Sequence, residues 1–257
     1  MGQRRNRWVT PVEEVRAAER RYAEPADTGV VAHSLQHVYE TDPELVAELL
    51  PPPLRPGARP EVWVSIGRIP QYDLGVGQVA VRCRYRDEEG WYGLHLPMTT
   101  EQAVIGGRER YGENKKIADI RFARDGDRLE GSVTRWGITY LRITGEVVER
   151  LDPPEREVVP HYYVKYLLAA DGSGYDAPPM LVRSVHTRTP RRLERLEGEL
   201  ELRDSPFDPV ADLVVESPGE TFYTERTAAV AAKVVEHVDP DAFLPYVYQR
   251  DDVAGAG

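Results

Sequence analysis

Two adjacent lysines, Lys115 and Lys116, are the residues from which this sequence can most directly draw chemistry. Of its 33 Lys and Arg residues only four are lysine (Lys115, Lys116, Lys165 and Lys233), which leaves 29 arginines. Arginine keeps its proton in a protein, whereas lysine can release it. A neutral amine attacks a carbonyl carbon and condenses to an imine. At the ordinary lysine pKa only about one amine in 2,500 is neutral at pH 7, a handicap of about 4.6 kcal/mol. Burial or a neighbouring cation removes that handicap. A unit charge about 6 Å away, at an effective dielectric of about 20, contributes about 2.8 kcal/mol. Adjacent residues on a strand face opposite ways, so burial of Lys115 in an apolar barrel would have to supply the larger part. The same spacing also fits two solvated lysines in a loop after a helix.

Other chemistries find less support. No GxGxxG opens a helix and there is no Walker loop; Gly75-Val76-Gly77-Gln78 reads as a turn between strands. His33 and His37 have the spacing of zinc ligands on a helix. Residues 30–39 look extended, however, which sets such residues about 13 Å apart. No serine stands in a G-x-S-x-G elbow. Cys83 reads as a small core residue, and as the only cysteine it excludes an internal disulfide or thiolate cluster. No metal and no cofactor is expected.

The chain has 257 residues, 41% hydrophobic and 30% charged, with net charge −10. That balance fits a folded globular protein and argues against nucleic acid or an anionic membrane as partner. No apolar run reaches a membrane span, and the basic Arg4-Arg5-Asn6-Arg7 lacks the apolar core of a signal peptide, so a cytoplasmic protein is expected.

Helices are expected at residues 10–21, 42–50 and 99–111. The last has Thr99 and Gln102 as a capping box and Gly112 as its stop. Strands are expected at 61–66, 78–85, 91–96, 117–123, 128–136, 138–148, 162–168, 181–188 and 193–202. The alanine-rich residues 227–238 read as a helix, and Asp239-Pro240 begins a short last one. Many strands around few helices imply an α+β, mostly antiparallel protein closing into a barrel or sandwich with helices outside. Residues 1–27 read as an N-terminal helical extension and 28–257 as one barrel domain.

Gly107-Arg108-Glu109 followed by Gly112-Glu113-Asn114-Lys115-Lys116 resembles the G-R-E…P-K-K signature of the acetoacetate decarboxylase family, a standard example of a lysine activated beside another cation. The likeness extends along the chain. Tyr39-Glu40-Thr41-Asp42, then Leu50-Pro51-Pro52-Pro53-Leu54, resembles its Y-x-T-D and proline segment, and Gly77-Gln78 stands at the matching distance before Gly107. Pro160, Tyr163, Lys165 and Asp171-Gly172 are similar to its P-x-Y-x-x-K…D-G segment. Leu200 through Asp208-Pro209-Val210 and Asp212-Leu213 is similar to its last stretch. The match covers roughly residues 28–248, and it is the common order of the pieces that identifies the family.

The resemblance implies a closed, cone-like antiparallel β-barrel that forms homo-oligomers. It implies Lys115 as the Schiff-base lysine and Lys116 as its electrostatic neighbour. Glu109 is a candidate to orient the lysine loop, Tyr92 and Tyr111 are candidate hydroxyl acids, and Gln78 is a candidate pocket amide. The family's first-strand arginine and its two glutamates fall at Ala32, Ser65 and Gly75, and Asn114 replaces its usual proline. Glu61, Asp73, Arg68 or Arg82 are the residues near enough in sequence to substitute. The expectation is a cofactor-independent lyase forming an imine with a small oxo acid. An aldolase or dehydratase acting on 2-oxo acids such as pyruvate with an aldehyde is the alternative within the enzyme class. A barrel that binds a small ligand without turnover is the alternative outside it.

Overall fold

In the computed structural model, which describes residues 8–23 and 26–252, β-branched and aromatic segments pair into one twelve-stranded sheet. The basic stretch at Arg4 to Arg7 lies outside the described residues. Helix α1 (Val12–Ala23) precedes β1 (Ala32–Glu40). Asp42 then caps α2 (Pro43–Leu49) by accepting from the Glu44 N–H at 2.8 Å. The short β2 (Arg55–Pro56) leads into β3 (Glu61–Ile69), β4 (Leu74–Tyr85) and β5 (Glu88–Met98). Helix α3 (Glu101–Tyr111) and β6 (Lys115–Ile117) interrupt the antiparallel run. It resumes with β7 (Asp119–Asp125), β8 (Arg128–Arg135), β9 (Ile138–Leu151), β10 (Glu157–Lys165), β11 (Met180–Leu202) and β12 (Ser217–His237), and α4 (Pro240–Phe243) follows. No helix among the described residues is long and apolar enough to cross a membrane.

Seven strands close a ring. Their order is β10-β5-β4-β3-β1-β12-β11, and β11 pairs back onto β10, leaving the ring without a free edge. β11 and β12, with 23 and 21 residues, are too long to end at the ring. The first part of β11 pairs with β10 and its second, from Leu193, with β9, so β9, β8 and β7 continue the sheet beyond the barrel and fold over its outer face. Leu35, Val64 and Ile66 of the wall pack there with Leu129, Val133, Leu141, Ile143 and Leu196 as the main core. A Cβ at Gly131 would lie 2.9 Å from Ile66 Cγ2, so the strand closest to the barrel needs a glycine there. Both faces of β3 are buried: Val62, Val64 and Ile66 look outward to the core, Trp63 and Ser65 inward to the barrel interior. That double burial makes residues 61–66 a nearly unbroken apolar run.

Five expectations need correcting. Gly75 to Gln78 are not a turn between strands but lie within β4, paired with β3. Residues 227–238 are strand, not helix. Alanine's helical preference is worth a few tenths of a kcal/mol per residue, and β12 here is hydrogen-bonded along its length to β11. β11 is one strand instead of two, with the irregularity at Pro190, which lacks a donor for the ladder, absorbed by a bulge before Arg192. Residues 117–123 divide into β6 and β7 at Ala118, whose N–H turns to the Met98 carbonyl. Thr100, not Thr99, caps α3, its hydroxyl accepting from the Ala103 N–H, while Thr99 Oγ1 accepts from the Gly75 N–H. Ile66→Ala is expected to cost about 3 kcal/mol, seen as a lower urea midpoint with an unchanged slope.

Candidate active site

Helix α3 ends on Gly112 at φ 76°, a conformation open to glycine, whose N–H returns to the Arg108 carbonyl. The chain leaves the helix into β6, which pairs in parallel with β5, Leu96 opposite Lys115 and Pro97 opposite Lys116. Glu113 and Lys115 lie back against the helix at Gly107. A Cβ there would stand 2.2 Å from Glu113 Oε2 and 2.7 Å from Lys115 Nζ, so Gly107 is the gap in which the two side chains meet. Lys115 Nζ is 2.7 Å from Glu113 Oε2, with 15% and 10% of the two side chains exposed.

The two-residue period sends Lys116 the other way. Its amine lies 3.1 Å from Asp208 Oδ1 and 3.4 Å from Asp252 Oδ1, and it donates to the Asp251 carbonyl at 2.8 Å. Asp208 is buried and also accepts from Arg135 Nη1 at 2.6 Å on both oxygens. The Lys116 charge is thus held by two carboxylates on the outer side of the wall. There, with His95, Leu45, Leu49, Val79 and Leu94, it lines an apolar cavity of about 210 Å³.

Lys115 shares a strand level with Leu96, which packs inward with Met98, Val104 and Tyr163. The inward residues of neighbouring strands make a polar hollow. Gln36, Ser65 and Gln78 are registered across β1, β3 and β4, and the Trp63 ring packs at a tilt against both Trp91 and His161. His161 Nδ1 donates to the Val159 carbonyl at 3.3 Å, which leaves Nε2 as the lone-pair nitrogen. Nε2 has no hydrogen-bond partner among the described residues, and neither have Trp63 Nε1 and Gln78 Nε2. Burial holds His161 far below the ordinary histidine pKa, and burial, reinforced by Arg188, Arg226 and Lys115, lowers His186 to about 3. Both imidazoles are therefore neutral near pH 7. Burial also raises the Tyr163 phenol, with a smaller contribution from Glu113.

The other candidates are dispersed. Gln78 faces the hollow, and Tyr111 packs beside Tyr163 and Leu96 at its α3 end. Tyr92 belongs to the outer core, where its hydroxyl donates to Gln249 Oε1 at 2.6 Å. Glu109 is exposed on the outer face of α3, and the carboxylate at the Lys115 amine is Glu113. Ala32, Ser65 and Gly75 bring no charge, and Glu61 is committed to Arg82 at 2.7 Å. Arg82 in turn lies over Trp91, and Arg68 over Phe122. Asp73 ends a 3-10 turn at the tip of β3 and β4. The position paired with Ala32 across the sheet is Arg226, whose guanidinium turns into the hollow. Sequence reading passed over Glu113, His161, His186, Arg188 and Arg226. The available signal was Ser184, His186 and Arg188, polar residues at every second position of one strand. His33 and His37 lie on β1 with separate partners, Tyr223 and Thr221, and no group of three or more metal-binding side chains occurs among the described residues.

The two lysines should separate in a stability measurement. Lys116→Met takes a cation from the fully buried Asp208 and is expected to cost about 3 kcal/mol, whereas Lys115→Met, which leaves the less buried Glu113 unpaired, is expected to lower the denaturation midpoint by less. Acid should weaken the fold as well. His95, lowered by burial to about 3, and His161 stay neutral when folded, but in the unfolded chain each takes up a proton near pH 6.5. The unfolded state then binds more protons, so stability is unaffected by these groups above about pH 6.5. Below it, stability falls by up to about 1.4 kcal/mol per pH unit for each. For His95 the loss continues down to about pH 3. Denaturation midpoints measured across pH check this.

Comparison with known proteins gives concordant findings. The family model described as acetoacetate decarboxylase (ADC) matches residues 10–238. Acetoacetate decarboxylase 1 of Bradyrhizobium diazoefficiens is 35% identical over 100 residues, which is 37% of this chain and 39% of that protein, so the matched stretch spans well under half of the relative. A crystal structure of acetoacetate decarboxylase from Legionella pneumophila has a TM-score of 0.74 at 23% identity, covering 81% of this chain and 86% of that one. The enduracididine biosynthesis enzyme MppR complexed with pyruvate has a TM-score of 0.68 at 15% identity, covering 80% and 89%. These structures share the fold, and the match over residues 10–238 carries the assignment: the chain belongs to the acetoacetate decarboxylase family.

Proposed function

We propose that the protein is a lyase that forms an imine between Lys115 and the carbonyl carbon of a small oxo acid. The observation that carries this reading is the Lys115 amine on the inner wall, 2.7 Å from a carboxylate, with its neighbour Lys116 turned away into an ion pair. Glu113 accepts the ammonium proton, and the freed amine attacks the carbonyl. Returning that proton to the carbinolamine hydroxyl lets water leave, and a C=N bond forms. The resulting iminium is the electron sink, so the chemistry draws on no cofactor. Gln78, Trp63 and His161 offer an amide donor, an indole donor and a lone pair toward the bound acid. From the imine either the bond to a carboxylate breaks and CO2 leaves, or a neighbouring C–H bond breaks and an enamine forms. Membership of the family, and the pyruvate held by its structural neighbour MppR, support a small oxo acid as the substrate class.

Borohydride reduction in the presence of pyruvate or acetoacetate should fix one adduct, mapped by mass spectrometry to Lys115. Lys115→Arg should remove it, because guanidinium keeps its proton. Glu113→Gln should slow trapping about 100-fold. A ligand that binds unmodified with no adduct at Lys115 would identify a binding barrel instead.

A further inference from the structure

We propose that Arg188 and Arg226 form a carboxylate clamp in the barrel that holds the substrate's acid group, so that the group stays on the substrate through the reaction. Arg188 is 6% exposed and makes no hydrogen bond or ion pair with any described residue. Its guanidinium lies 4.7 Å from the centroid of the Trp63 ring. Arg226 stands on the adjacent strand: Arg188 is registered with Ala228, two residues along β12 and on the same face. Arg226 Nη1 donates to Ser34 Oγ and Thr224 Oγ1, each at 2.6 Å, and Gln36 Nε2 braces both hydroxyls. The other Arg226 N–H groups have no acceptor among the described residues.

Four other arginines of the sheet are neutralised by carboxylates. Arg82 meets Glu61, Arg124 meets Glu194, Arg135 meets Asp208 and Arg183 meets Glu88. Glu157, registered with Arg188, is the acid that acts on the pair through space, and it makes no ion pair with either. Two like charges held side by side without a counterion destabilise each other, and their planar forks match the in-plane lone pairs of a carboxylate. His186, on the same face of β11 as Arg188, packs on His161 with ring centroids 4.5 Å apart, and His161 stacks on Tyr163, which packs with Leu96 beside Lys115, so the pair and the lysine face the same interior.

A clamp of this kind selects between the two branches, and this step rests on the imine reading above. Loss of CO2 turns a carboxylate into a neutral molecule, so the contacts to both guanidinia weaken on the way to the transition state. Breaking the C–H bond leaves the carboxylate untouched. The proton passes to the Glu113 carboxylate, the C–H pair becomes the C=C bond, and the C=N pair moves onto nitrogen to give the enamine. The enamine then takes a proton from water or attacks an aldehyde as co-substrate.

Calorimetry with propionate, which has no carbonyl, tests the clamp apart from the imine. Propionate should bind wild type and Lys115→Met alike, and at least tenfold more weakly to Arg188→Met and Arg226→Met. Arg188→Met should also melt higher than wild type, since it removes an uncompensated buried cation, whereas a structural arginine would lower the melting temperature. Arg188→Lys, which keeps the charge and loses the fork, should recover only part of the binding. In D2O, wild type should exchange the pyruvate methyl protons faster than it releases CO2 from acetoacetate. Equal propionate binding in all variants, or CO2 release outrunning exchange, would overturn the proposal. Arginine-dependent propionate binding without any trapped imine would support the clamp and remove the lyase reading instead.

Discussion

The alternation of side chains along a strand decides what the two central lysines do. β6 is three residues long, and its register against β5 sets Lys115 on the inner side of the wall and Lys116 on the outer. One strand therefore carries an amine toward a polar hollow and an ammonium into a buried ion pair with Asp208. Their adjacency in sequence suggests mutual electrostatics, but the wall between them assigns each its own counter-charge, Glu113 to one and Asp208 with Asp252 to the other. A slip of one residue would exchange them, placing Lys115 against two carboxylates outside and leaving the hollow to Lys116.

The rest of the architecture serves to keep that register. α3 delivers the chain to β6 through a left-handed Gly112, and Gly107 leaves the room in which Glu113 and Lys115 lie against the helix. Asn114 donates to the Gly93 carbonyl at 3.1 Å and ties the turn to β5. On the outer side, Lys116 reaches the Asp251 carbonyl and Tyr92 reaches Gln249, so the C-terminal segment is fastened across the same stretch of wall. The wall accordingly has two chemistries. Outside it is a packed apolar core; inside it is polar, with nitrogen atoms that find no hydrogen-bond partner among the described residues.

Local features were readable from the sequence because local chemistry sets them. The stop of α3 at Gly112, the starts of α2 near Asp42 and α4 near Asp239 and most strand positions are of this kind. The lysine pair was legible because lysine is scarce here. What could not be read depends on which face of each strand looks into the closed ring. Both faces of the wall are buried, so apolarity does not distinguish them: Tyr92 and Gln78 are equally plausible lumen residues until the register sends them to opposite sides. Arg188 and Arg226 sit 38 residues apart, one of them just before a segment whose alanines suggest a helix, and only the pairing of β11 with β12 makes them neighbours.

That same pairing has a mechanical consequence. β11 and β12 form one two-stranded ribbon, and the barrel and the covering sheet both hang from it. Neither layer owns a complete set of strands without the ribbon, so peeling one apart removes the other's support. The two layers therefore share a single cooperative opening, and amides of the hollow and of the outer sheet exchange with solvent as one population.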